Sequence, residues 1–318
     1  MTKQPKILII GALGQIGTEL TTALSAKYGE ANVFPSDIAR ENEQPNYIAL
    51  NALQHDRIEQ VVLDKGITQI YLLAAMLSAN GEKDINAAWT LNVQSLMSVL
   101  QIARDHKLDK IFWPSSIAIF GPTSAKHNCR QHARAEPITV YGISKKAGEH
   151  FCNYYFENFG VDVRSLRFPG LISHTAPPGG GTTDYAVDIY HKAIRDGHFN
   201  CFLEEDCCLP MMYMPDAIRA TLELMEAPKE KISIRTSYNI AGMSFAPCDI
   251  AAAIRDHIPG FTMQCAPDFR QAIAESWPAS VDDTQAGADW GWEPAFNLEN
   301  MTADMLQHIK EAHKAILV

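Results

Sequence analysis

At 318 residues the chain is long enough for one large domain or two unequal lobes, and it can bury a core without disulfide or metal staples. Apolar residues make up 47% and charged residues 20%, an ordinary globular composition. The formal net charge of −10 argues against nucleic acid or an anionic membrane surface as a partner and suits a cytoplasmic protein.

Lys6–Gly11 reads KILIIG, apolar on both faces and closed by glycine, which predicts a central parallel strand. A helical pattern follows from Gln15 to Tyr28, then a strand over Ala31–Asp37. A helix at Asp56–Lys65, a strand at Gln69–Ala74, a long helix near Trp89–Asp105 and a strand at Lys110–Pro114 continue the alternation. A helix from Tyr141 to Phe159 and a strand over Asp162–Phe168 complete it. Such regular alternation predicts a parallel sheet with helices on both faces.

After Gly170 the rhythm breaks. Pro177–Gly181 reads as a loop, Thr183–Arg195 and Pro215–Met225 as helices, and Ser237–Ile240 as a strand returning to the sheet. Residues 244–318 are mixed helix and loop. The expected fold is α/β: a Rossmann-type doubly wound parallel sheet over residues 1–170, rejoined by 212–243, with a smaller C-terminal substrate lobe over 171–318. The seven cysteines lack metal-like spacing and the 11 histidines are scattered, so reduced thiols and no metal site are expected. No apolar run reaches membrane-spanning length, and Met1–Pro5 leads straight into the first strand with no room for a signal peptide.

Gly11-Ala12-Leu13-Gly14-Gln15-Ile16-Gly17 is a G-x-x-G-x-x-G turn directly after the first strand. Glycines there let the backbone turn tightly, let a pyrophosphate approach and let the helix pack on the strand, while the N–H groups at Gln15 and Ile16 face the phosphates. A glycine triple alone is weak evidence, but Asp37 lies twenty residues beyond Gly17 at the end of the second strand. A carboxylate there, with Ile38 beside it, bonds the ribose hydroxyls of NAD and repels the 2′-phosphate of NADP; Arg40 is the residue that could accept that phosphate instead. NAD is the expected cofactor.

Tyr141-Gly142-Ile143-Ser144-Lys145 places a phenol and an ammonium four residues apart on one helix face. A phenol with a free pKa near 10 is a poor base at neutral pH. A nearby lysine and a positive nicotinamide ring both favour the phenolate, and roughly 4 kcal/mol would bring it near neutrality. Ser116 precedes Tyr141 by 25 residues, and its hydroxyl can orient a substrate hydroxyl toward the phenolate.

Together the glycine turn, Leu73-Ala74-Ala75 after the third strand, Asn92 on the long helix, the Ser115-Ser116…Phe120-Gly121 segment and the Tyr141/Lys145 pair resemble the extended short-chain dehydrogenase/reductase superfamily. The resemblance implies that Asn92 lies on the helix supporting the active site, that Lys145 also bonds the nicotinamide ribose, and that Phe168 and Pro169 flank the nicotinamide. It implies an adenine contact at Asn51, next to Ala52, where many members carry Asp. It further implies no metal, a homodimer formed through helices beside the sheet, and a lobe that closes over small substrates.

Sugar-nucleotide members usually place an arginine just before the helix corresponding to Pro215–Met225, and epimerases tend to have a lysine at Leu77. This chain has neither; the first stretch reads LPMMYMPD. Pro177–Ala186 instead runs from a glycine loop into a helix with Thr182 and Thr183 at cap positions, suited to a small carboxylate or serving as an ordinary capped loop. The strings PPGGGTTDYA and LPMMYMPDA, with Ser276-Trp277-Pro278, closely resemble the L-threonine 3-dehydrogenase branch of the superfamily. That resemblance implies NAD-dependent oxidation of L-threonine at C3 to 2-amino-3-ketobutyrate, with Tyr141 as base, Ser116 placing the hydroxyl, and Ser78, Gly181, Thr182 and Thr183 holding the amino-acid end. Trp277 would close over the pocket or serve the core of the small lobe, and Asp184 would meet the substrate ammonium or stabilise its helix. A nucleotide-sugar epimerase or dehydratase and a non-catalytic dinucleotide sensor are the competing readings.

Overall fold

The computed structural model describes residues 4–175 and 181–316. Strand β1 (Ile7–Ile10) is buried along its whole length because both its faces meet helices. Ile7 and Ile9 join an apolar cluster with Leu20 and Leu24 of helix α1 (Gln15–Tyr28). Leu8 and Ile10 join the opposite cluster, the alternation that an extended chain enforces. β2 (Val33–Asp37) and β3 (Ile48–Ala49) extend the sheet on one flank. Helix α2 (His55–Lys65) leads to β4 (Gln69–Leu72) on the other flank of β1.

Next come short α3 (Ser78–Gly81), then α4 (Ile85–Trp89) and α5 (Ser95–Asp105) joined through a π-turn at Thr90–Gln94. β5 (Lys110–Phe112), β6 (Ser115–Ser116), α6 (Val140–Phe159), β7 (Val163–Arg164) and β8 (Leu166–Phe168) follow. Six parallel strands stand in the order β3-β2-β1-β4-β5-β7. The strand order therefore reverses between β1 and β4, and the crevice beyond their C-terminal ends is where such a sheet takes a ligand.

Several boundaries differ from expectation. The strand expected from Ala31 starts at Val33 after a 3-10 turn at Glu30–Asn32. The strands expected at Lys110–Pro114 and Asp162–Phe168 each split in two. Pro114 has no N–H to give, so the β5–β7 ladder stops after Trp113 N donates to the Arg164 carbonyl at 3.1 Å. Pairing resumes between β6 and β8.

The C-terminal half comprises β9 (Gly170–Ile172), α7 (Tyr185–Asp196), β10 (His198–Cys201), β11 (Leu209–Tyr213), α8 (Met214–Glu226), β12 (Tyr238–Asn239) and β13 (Met243–Phe245). It ends with α9 (Pro247–His257), β14 (Thr262–Cys265), α10 (Arg270–Glu275), α11 (Thr284–Trp290) and α12 (Leu298–Ile316). β12 pairs in parallel with β8, and Ala217 and Leu224 of α8 share the cluster of Leu20 and Leu24 on α1. A third cluster unites α7, β11, α9, α12 and Trp277. All seven cysteines are free thiols. No helix among the described residues is long and apolar enough to cross a membrane. Pro177, Pro178, Gly179 and Gly180 of the expected loop lie outside the described residues.

Candidate active site

A cavity of about 670 Å3 opens at the β1/β4 crevice. Its floor is the glycine turn. Gly11 has φ +94°, and a Cβ there would sit 2.6 Å from the Ala74 amide nitrogen, so only glycine serves. Gly14 is different: a Cβ there would meet only the Gly11 carbonyl, at 3.5 Å, so its neighbours within the protein do not demand glycine. What favours glycine at 14 is the open space beyond, where a phosphate would approach. Gly14 caps α1 without a side-chain acceptor, which leaves first-turn N–H groups facing that space. Nε2 of Gln15, which lines the cavity, is buried without a partner among the described residues. Free backbone donors, an unpaired amide and room for an anion fit a dinucleotide pyrophosphate. Ile16, Gly17, Leu73, Ala75 and Phe168 also line the cavity.

Asp37 stands behind this floor. Its Oδ2 accepts the Leu13 N–H at 3.0 Å and its Oδ1 the Ile38 N–H at 2.7 Å, fixing the carboxylate against the turn while leaving lone pairs for ribose hydroxyls. Ile38 is 74% exposed beside it. Asn51 is exposed with its Oδ1 on the Leu53 N–H at 3.0 Å, and Ala52 is buried in the cluster under α2. Asp37, Ile38, Asn51, Ala52 and Ala74 are not among the residues that line the cavity.

Asn92 does not reach the cavity either; it braces the wall. It lies in the π-turn, whose extra residue turns its carboxamide inward. There Oδ1 accepts the Met76 N–H at 2.8 Å, and Nδ2 donates to the Met76 carbonyl and to Ser144 Oγ, each at 3.1 Å. This ties the loop after β4 to the first turn of α6. Thr139 caps α6, accepting the Gly142 N–H at 3.1 Å, and so sets Tyr141 at the cavity edge.

Ser116, Tyr141 and Lys145 all line the cavity. Burial pushes the Tyr141 phenol up to about 12, with the hydrogen-bonded Ser116 hydroxyl pulling the other way. Burial likewise holds the Lys145 ammonium down to about 7, against the charges of Cys152 and Glu149. Lys145 Nζ donates to the Pro114 carbonyl at 2.6 Å and lies 4.4 Å from the Trp113 ring centroid. Without the positive ring of a nicotinamide, the protein alone does not draw the phenol toward neutrality. Starting from about 12, reaching neutrality asks for roughly 7 kcal/mol rather than 4. Below this pair, the buried Glu149 carboxylate accepts from Ser115 Oγ at 2.7 Å and from Arg167 at 2.8 Å, clamping α6 to β6 and β8.

Across the cavity, Ser78 and Thr182 are buried with their hydroxyl oxygens 3.2 Å apart. Gly181, Thr183 and Trp277 line the same wall. Thr182 and Thr183 are not the caps expected of them. Asp184 holds the N-cap position of α7, and its Oδ2 accepts not a helix N–H but that of Gly181, at 2.7 Å, while the Thr182 hydroxyl meets Ser78. Trp277 is 5% exposed and takes part in both the core cluster and the cavity wall.

Asn80, Lys83 and Asp84 line the cavity as well and were missed in the sequence. Their signal was position alone: they follow the strand that ends at the crevice. Where a diphosphate-gripping arginine was sought, β11 is apolar and buried at all five positions.

The model of the NAD dependent epimerase/dehydratase family matches residues 7–241. An uncharacterized epimerase/dehydratase of Staphylococcus aureus (strain USA300) is 45% identical over 313 residues, 96% of this chain and 97% of the relative. The solved GalE-like L-threonine dehydrogenase from Cupriavidus necator (holo form) is 58% identical with a TM-score of 0.95, covering 96% of this chain and 100% of that one. A monomeric L-threonine 3-dehydrogenase from a metagenome database (apo form) is 43% identical with a TM-score of 0.93, covering 96% and 99%. With the glycine turn at the sheet crevice and matches along nearly the whole chain, the protein belongs to the NAD dependent epimerase/dehydratase family.

Proposed function

We propose that the protein oxidises L-threonine at C3 to 2-amino-3-ketobutyrate, using NAD+. The observation that carries this reading is the make-up of the cavity wall. Ser116, Tyr141 and Lys145 stand on one side and the Ser78–Thr182 hydroxyl pair on the other, with no arginine for a diphosphate among the described lining residues. Structural neighbours described as L-threonine dehydrogenases support it.

A bound nicotinamide dinucleotide would accept the C3 hydride and place positive charge beside the phenol. Tyr141 takes the hydroxyl proton as the C–O bond becomes a carbonyl, and Ser116 orients that hydroxyl. Lys145, buried and cationic when protonated, favours the phenolate and bonds the nicotinamide ribose. Ser78, Thr182 and Thr183 hold the amino-acid carboxylate and ammonium. Asp37 selects NAD over NADP. Residues 1–170 with 212–243 form the dinucleotide-binding part, and the remainder the substrate lobe. Ile85, Trp89, Ile143, Tyr154 and Phe159, large apolar side chains exposed on α4 and α6, form the face through which two copies pair.

The test is NADH absorbance with a panel of 3-hydroxy amino acids, NAD+ against NADP+, and UDP-hexoses in parallel. Threonine-dependent NADH formation, cut at least about 100-fold by Tyr141→Phe, is expected. UDP-hexose turnover without threonine oxidation would instead establish the sugar-nucleotide reading, and full activity in Tyr141→Phe would remove the proposed base.

A further inference from the structure

Outside the cavity, three donors gather where the exit of β9 and the end of β11 meet α12. His174 lies two residues past β9, and Asp304 and His308 stand one turn apart on α12. Their ligand atoms all lie within 4.8 Å of one another. Scattered in sequence, these residues gave no sign of grouping beyond the i,i+4 pair.

The surroundings hold Asp304 in place and set His308 beside it. Tyr213 Oη donates to Asp304 Oδ2 at 2.6 Å, holding the carboxylate and leaving Oδ1, which is 3.5 Å from His308 Nε2. His308 Nδ1 faces Glu311 Oε2 at 4.0 Å, so the opposite ring nitrogen is the one turned to Asp304. The His174 and His308 rings stack with centroids 4.1 Å apart and 10° between planes, so their in-plane lone pairs run side by side and His174 must turn out of the stack to share an ion.

Donors on a tetrahedral zinc ion stand roughly 3.4 Å apart, from bonds of about 2.0–2.1 Å. The Asp304–His308 separation of 3.5 Å already meets that spacing. The ligand atoms of the three already lie within 4.8 Å of one another, and the half-exposed His174 ring has to turn out of its stack on His308 to complete the set.

We propose that His174, Asp304 and His308 form a binding site for a divalent first-row cation of the zinc type, with water in the fourth position. Two imidazoles and one carboxylate are an N2O set that suits zinc, and bound metal would tie the C-terminal helix to β9. The site is separate from the hydride-transfer chemistry proposed above and does not depend on it.

The test uses full-length protein stripped with EDTA, with zinc titrated against a chromophoric chelator and cobalt as a spectroscopic probe. One equivalent bound, an affinity at least tenfold weaker in His308→Gln and in His174→Asn, and weak visible cobalt bands without intense thiolate charge transfer are expected. Zinc should also raise the urea midpoint of the wild type but not of the variants. No binding at micromolar zinc, undiminished binding in both variants, or a thiolate band placing the metal on cysteines would overturn the proposal. Because the cobalt spectrum is read on the unmodified protein, it decides the question even if a variant folds poorly.

Discussion

Replacing Lys145 by methionine, which keeps an unbranched stem and removes the ammonium, should abolish hydride transfer and make the protein more stable. Lys145 is 2% exposed, and burial holds its ammonium at about 7. Relative to 10.5, that shift costs the native state about 5 kcal/mol at pH 7 and below. Methionine removes this cost but leaves the Pro114 carbonyl without its donor, a loss of about 1–3 kcal/mol for a buried acceptor. A net gain of about 2–4 kcal/mol remains. Between roughly pH 7 and 10.5 the unfolded chain keeps a proton on Lys145 that the folded chain has lost, so the penalty shrinks as pH rises. The advantage of the variant should fall by about 2 kcal/mol between roughly pH 6.5 and 8.5. Urea unfolding of both proteins without dinucleotide measures it. The range stops at about 8.5 because burial raises thiols such as Cys201, whose ionisation in the unfolded chain lowers stability at higher pH in both proteins. A variant less stable than wild type, or a gap indifferent to pH, would refute the claim that the lysine is held in place against its own desolvation.

Thr182→Val keeps the shape of a buried side chain and strands Ser78 without its partner, so KM for threonine should rise about 5- to 100-fold with a smaller change in kcat, read from steady-state NADH formation. Asp37→Ser should raise KM for NAD+ and bring the NADP+/NAD+ preference at least tenfold closer to parity, measured as the ratio of kcat/KM values; an unchanged ratio would dismiss Asp37 as the selector. Tyr154→Glu with Ile143→Glu, on the exposed face of α6, should yield monomers by sedimentation velocity where the wild type gives dimers; a monomeric wild type would remove the proposed face.

The features legible in the sequence were those written in contiguous patterns. KILIIG announces a strand buried on both faces, and the glycine turn follows it at once. Tyr141 and Lys145 share a helix face by spacing alone. What stayed hidden depends on contacts between distant segments. The Ser78–Thr182 pair spans 104 residues, and nothing local in either segment reports the other. The splitting of two strands follows from one proline, whose missing N–H matters only once its neighbour is known. Asp184 takes the N-cap position in place of the two threonines with its carboxylate turned back to the Gly181 N–H, an arrangement the local string does not announce. The depressed Lys145 is a property of burial, which spacing on a helix does not disclose.

The π-turn at Thr90–Gln94 carries a cost that favours its own removal. Deleting one residue there would restore an unbroken α-helix from Ile85 to Asp105, with better local hydrogen bonding. It would also rotate everything on one side of the deletion by about 100° relative to the other. Asn92 would swing away from Met76 and Ser144, and the strap between the β4 loop and α6 would part. Local helix preference and site geometry are thus in conflict at this turn, a point of frustration that the rest of the fold holds in place. Backbone amides at 90–94 should accordingly exchange with solvent deuterium sooner than those of α5, although both belong to one continuous rod.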